Sequence, residues 1–218
     1  MKKGDAPEKL KEFYKALFKA FGPQGWWPGE TPFEVIVGAI LTQNTSWSNV
    51  EKAIRNLKEE KLLTPRRMHA LGLKELAGHI RSSGYFNIKA KRLKNFIDRL
   101  FDNHNGNLNN LLKKNAGELR KELLSINGIG PETADSIVLY AAEYPEFVVD
   151  AYTKRIFSRH NLIRHDAGYE EVKSLFMDNL KPDAVTFNEY HALIVRTGKH
   201  FCKNKKPLCE ECPLGVYF

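Results

Sequence analysis

Apolar residues recur along this chain at the three- and four-residue spacing of helices buried on one side. Leu10, Phe13, Tyr14, Leu17 and Phe18 form one such stripe, ended by Gly22-Pro23. Thr31-Pro32 opens a second, with Phe33, Ile36, Val37, Ile40 and Leu41. Further stripes run through Val50, Ile54 and Leu57, through Leu93, Phe96, Ile97 and Leu100, through Ile137-Val138, and through Leu193-Ile194. Thr64 before Pro65 and Asp150 before its own periodic segment occupy N-cap positions, where a short polar side chain satisfies an orphan backbone donor. Only Phe147-Val148-Val149 has strand character, and it is too short to build a sheet. The pattern predicts an all-α protein. No repeat, low-complexity tract or long linker marks a domain boundary.

With 218 residues and 42% hydrophobic content, the chain has enough apolar material for a substantial core in one or two domains. Its formal charge of +8 and pI of about 9.3 favour a polyanionic partner, although surplus lysine also makes an ordinary solvated surface. No apolar run approaches the roughly 18 residues of a membrane span, and Met1-Lys2-Lys3-Gly4-Asp5 lacks the apolar core of a secretory signal. A cytoplasmic protein without a membrane partner is therefore expected, nucleoid-associated if prokaryotic. Three cysteines, Cys202, Cys209 and Cys212, are too clustered for a disulfide framework and read as metal chemistry in a reducing compartment.

The most informative stretch is Leu123-Leu124-Ser125-Ile126-Asn127-Gly128-Ile129-Gly130-Pro131-Glu132-Thr133-Ala134, followed by Phe147-Val148-Val149-Asp150. Gly128 and Gly130 let the backbone turn sharply between two helical segments and leave amides pointing outward at a helix N-terminus, an arrangement that binds anions. Pro131 suits the first turn of the second helix. Position for position, this stretch resembles the helix-hairpin-helix and catalytic-aspartate segment of the endonuclease III superfamily of DNA base-excision glycosylases. The resemblance runs from about Pro32 to Cys212. It implies a helical-barrel domain over residues 31–140 ending in the hairpin at about 118–140. A second helical domain would comprise residues 1–30 with 141–218, and the active-site cleft would lie between the two.

Asp150 by itself reads as an N-cap; the resemblance makes it the catalytic aspartate, a carboxylate that stabilises the cationic sugar and orients or deprotonates water. Glu132 departs from the bifunctional members, which carry a Schiff-base lysine at this hairpin position, so a monofunctional enzyme without lyase activity is implied unless a lysine such as Lys154 substitutes. Leu41-Thr42-Gln43-Asn44-Thr45-Ser46-Trp47 corresponds to the loop that fills the gap left by an extruded nucleotide, with Gln43 or Asn44 as the amide that meets the orphaned base. Gly84-Tyr85-Phe86-Asn87-Ile88-Lys89-Ala90-Lys91 resembles a second DNA-reading loop, with Tyr85 as wedge and Lys89 and Lys91 toward phosphates. Gly128, Gly130 and Thr133 complete the DNA-binding set.

Trp26-Trp27-Pro28 and Trp47, together with Thr42-Gln43-Asn44-Thr45 and Glu132, are similar to the 3-methyladenine DNA glycosylase branch. Indole faces suit a cationic alkylated purine through cation-π attraction. Cys202, Cys209 and Cys212 match three ligands of the family's [4Fe-4S] loop, but Phe218 stands where the fourth cysteine belongs. A cluster completed by another ligand, a zinc with a histidine such as His200, and no metal all stay open. The resemblance thus implies a monomeric glycosylase acting on double-stranded DNA with an alkylated purine. Alternatives are a mismatch glycosylase for uracil, thymine or adenine, an endonuclease III-like enzyme, and a DNA-binding hairpin protein without catalysis.

Overall fold

A computed structural model describes residues 6–26 and 29–217. Among the described residues there are twelve α-helices and two short 3-10 turns, with no strand, as the periodicity predicts. The chain divides into two compact units, Met1–Trp27 with Pro145–Phe218, and Pro28–Tyr144.

Helix α1 (Ala6–Phe21) belongs to the split unit. The contiguous unit holds α2 (Pro32–Leu41), α3 (Trp47–Glu59), α4 (Pro65–Ala70), α5 (Leu73–His79), α6 (Phe86–His104), α7 (Leu108–Leu112), α8 (Ala116–Leu124) and α9 (Pro131–Tyr140). Thr31 caps α2 by accepting from the Glu34 amide at 3.2 Å, with Pro32 at the first helical position. Every residue of α2 from Phe33 to Leu41 is buried, because α3, α6 and α9 pack around it. Its one acid, Glu34, is paired with Lys58 at 2.9 Å. On α6, Leu93, Phe96, Ile97 and Leu100 all face the core, as their spacing predicts.

The split unit resumes with α10 (Ala151–Arg159), α11 (Tyr169–Met177) and α12 (Ala184–His200). Its core is aromatic: Phe147 stacks on Phe176 with centroids 3.7 Å apart, and Phe157, Phe187 and Tyr190 close around them. The Tyr190 hydroxyl donates to the Leu10 carbonyl of α1 at 2.8 Å. Phe147-Val148-Val149 is a buried, extended segment that leads straight into Asp150. From the α1 stripe, Leu10, Phe13 and Leu17 are buried, whereas Phe18 is exposed and stacks on Tyr14.

Candidate functional site

In the contiguous unit, α8 and α9 form the hairpin, and its connecting turn is braced from inside. Gly128 has φ +97°, a conformation that L side chains rarely adopt, and a Cβ there would stand 2.3 Å from Cγ of Arg92. Gly130, by contrast, is extended (φ −92°, ψ 178°) as the N-cap of α9, and a Cβ there would meet nothing within 4 Å. One glycine is demanded by the fold; the other leaves open space in front of a helix N-terminus. Glu132 is exposed in the first turn of α9, where a negative charge suits the helix dipole.

Gln43 does not offer its amide outward. Nε2 donates to the Gly128 carbonyl at 3.1 Å and to the Thr133 hydroxyl at 2.9 Å, while Oε1 accepts from Arg92. Of the two amides expected to meet an orphaned base, Asn44 is the exposed one, held at φ +55°. Thr133 also departs from expectation. Its side chain is buried, with its hydroxyl occupied by Gln43, so it braces the turn instead of facing a phosphate.

Lys89 is the clearest correction. Expected at a phosphate, it is 1% exposed, and its ammonium donates to the carbonyls of Leu41 at 2.7 Å and Ser83 at 2.6 Å. Burial, with the neighbouring Arg92 charge, lowers its pKa to about 8. Lys91, two residues on, is exposed. Tyr85 is 68% exposed at φ +47°, with Ile88 also exposed on the next turn. Trp47 is partly exposed at the start of α3, with its indole N–H donating to Glu51 at 2.7 Å.

In the split unit, Asp150 caps α10. Oδ1 accepts from both the amide and the hydroxyl of Thr153, at 2.7 and 2.8 Å, and only 13% of the side chain is exposed. Oδ2 lies 3.7 Å from Nε2 of His191 on α12. Burial lowers the pKa of His191, against the pull of Asp150, so the ring is neutral at pH 7 and leaves the carboxylate's charge uncancelled. No motif pointed to His191. Lys154 is engaged, donating to the Ala167 carbonyl at 3.1 Å. Trp26 is half-buried after α1; Trp27 and Pro28 lie outside the described residues.

Cys202, Cys209 and Cys212 line one small cavity with Ile156, His160 and Leu214. Arg159 donates to the Cys202 sulfur at 3.1 Å and to the Lys203 and Asn204 carbonyls, while Arg155 holds the Cys202 and Gly198 carbonyls. Burial and the other two thiols push the Cys212 thiol up. Three sulfurs, one already accepting from a guanidinium, do not supply the four thiolates of a cubane cluster, and no side-chain grouping suited to a metal ion occurs among the described residues. His200 on α12 does not line the cavity.

Residues 37–182 match the model of the HhH-GPD superfamily base excision DNA repair protein family. A protein of Methanocaldococcus jannaschii, provisionally named DNA repair glycosylase MJ1434, is 52% identical over 212 residues, covering 96% of each chain. An endonuclease III solved in a non-covalent complex with DNA superposes with a TM-score of 0.82 at 26% identity, over 95% of this chain and 92% of that one. The 3-methyladenine DNA glycosylase of H. pylori, solved with 1,N6-ethenoadenine bound, superposes with a TM-score of 0.76 at 29% identity, over 89% and 97%.

Proposed function

The chain belongs to the HhH-GPD superfamily of base excision DNA repair proteins, and we propose that this DNA glycosylase is monofunctional and releases alkylated purines, N3-methyladenine among them, from double-stranded DNA. The observation that carries the reading is Glu132. It stands exposed where bifunctional relatives present an amine, and the substitute amine considered from sequence, Lys154, is held by a backbone carbonyl. Without an amine, no Schiff base forms and water completes the reaction.

The chemistry then rests on Asp150. As the N-glycosidic bond lengthens, the sugar becomes cationic, and a carboxylate fixed by two hydrogen bonds needs little reorganisation to stabilise it. Thr153 holds one oxygen; the other, 3.7 Å from Nε2 of His191, is the one proposed to meet the sugar or its attacking water. A neutral His191 beside it preserves the charge. Alkylation makes the purine itself cationic and a better leaving group, which lowers the need for a general acid. The indole of Trp47, partly exposed at the start of α3, is the face proposed for that cation, an attraction of about 0.5 to 2 kcal/mol. The likeness to a 3-methyladenine glycosylase supports this choice of base. Exposed Asn44, Tyr85 and Lys91, with the amides at Gly128 and Gly130, make up the proposed DNA-facing set.

Chromatography of the bases released from a panel of damaged duplexes, with borohydride present in parallel reactions, tests the reading. A methylated purine and no trapped protein–DNA adduct is the expected result. Uracil, thymine or adenine as the product would overturn the substrate assignment, and an efficiently trapped adduct would overturn the monofunctional one.

A further inference from the structure

Helix α6 carries a row of polar side chains at three-residue spacing, Lys89, Arg92 and Asn95, and each ends on a segment proposed to face DNA. The Lys89 ammonium grips the Leu41 carbonyl, at the end of α2 just before the Asn44 loop, and the Ser83 carbonyl, just before Gly84-Tyr85. Arg92 reaches Gln43, whose amide passes the connection on to Gly128 and Thr133 in the hairpin, and its aliphatic stem fills the space beside Gly128. Asn95 donates to the Asn127 carbonyl of the same turn at 2.8 Å.

We propose that Lys89 and Arg92 are positioning residues that tie the Asn44 loop, the Tyr85 loop and the hairpin into one rigid body, so that amide and wedge enter a duplex in a single concerted step. The proposal rests on the DNA glycosylase reading.

Two physical observations carry it. First, a buried ammonium is costly, and Lys89 has only backbone carbonyls as acceptors here; a methionine would fill the site more cheaply but would leave both carbonyls unmet. Those carbonyls sit at the ends of a helix and a 3-10 turn, where orphan acceptors and the helix dipole both favour a cation. Second, both loop tips are strained: Asn44 at φ +55° and Tyr85 at φ +47° are left-handed without being glycine. Such conformations persist only where the surroundings over-determine them, and the lysine anchors the root of each loop.

The test uses a duplex with 2-aminopurine beside a tetrahydrofuran abasic analogue, whose fluorescence rises when the protein opens the stack. Lys89→Met is expected to slow opening about tenfold or more while duplex affinity at fixed salt changes less than about threefold. With Lys89 present, Asn44→Ala and Tyr85→Ala together should cost less than the product of their separate effects, because the two tips act as one; with Lys89→Met, the effects should multiply. Should Lys89→Met fail to fold, Gln43→Met cuts the Arg92 relay without touching the buried charge and should slow opening about threefold or more. Unchanged opening in the folded variant, or effects that already multiply when Lys89 is present, would overturn the bracing. A wild-type protein that opens the stack normally yet releases no base would overturn the glycosylase reading instead.

Discussion

Asp150 performs two tasks with one side chain, and substitutions separate them. Asn keeps an oxygen to accept from the Thr153 amide but removes the charge. Asp150→Asn is therefore expected to unfold within a few degrees of the wild type while single-turnover base release falls by two or more orders of magnitude. Asp150→Ala loses the cap as well and should cost about 1 kcal/mol of stability besides. Chemical denaturation alongside single-turnover kinetics reads both; a loss of less than about tenfold in the Asn variant would make Asp150 a cap alone. At this scale the sequence was partly legible. A cap position preceded by an apolar run showed where Asp150 would sit. That Gln43 and Lys89 turn inward was not legible, because a polar residue one turn or less from a loop tip reads the same whether it meets solvent or a carbonyl 48 residues away.

Among elements, the hairpin shows two glycines present for different reasons. Gly128→Ala must place a Cβ in a left-handed backbone against Arg92, and should destabilise the protein by about 1 to 3 kcal/mol. Gly130→Ala meets no atom and should leave stability nearly unchanged while weakening duplex binding, if a phosphate approaches that helix N-terminus. Thermal melts and salt-dependent binding isotherms distinguish the two outcomes. Helix α8 carries a separate pH dependence through Glu122. Burial would raise its pKa, but hydrogen bonds from Lys114, His104 and Asn103 outweigh that and hold it at about 2, below the ordinary value of 4.5. Because the folded pKa is depressed, the stabilisation is complete above about pH 4.5 and is lost as pH falls toward 2. Urea midpoints across that window should fall less steeply in Glu122→Gln. Helix positions followed from periodicity because a three-to-four spacing of apolar residues has one cheap solution. The polar row on α6 was not legible, because three-residue spacing of polar side chains is equally that of an ordinary solvated helix face.

The whole molecule inherits a consequence from how its chain is divided. The contiguous unit is built from one run of chain, residues 28–144, whereas in the split unit α1 docks on α12 through a hydroxyl–carbonyl bond spanning 180 residues. Closing so long a loop costs only a little more entropy than closing a short one, but its partner must first exist. In refolding from denaturant, pulsed hydrogen exchange is expected to protect the amides of α2, α6 and α9 before those of α1; simultaneous protection would show that the two units condense together. On a ribosome the asymmetry is sharper. Leu10, Phe13 and Leu17 leave the exit tunnel well before α12, which packs against their helix. An early helix of the nascent chain is thus left waiting, with an apolar stripe open to chaperones until α12 has emerged.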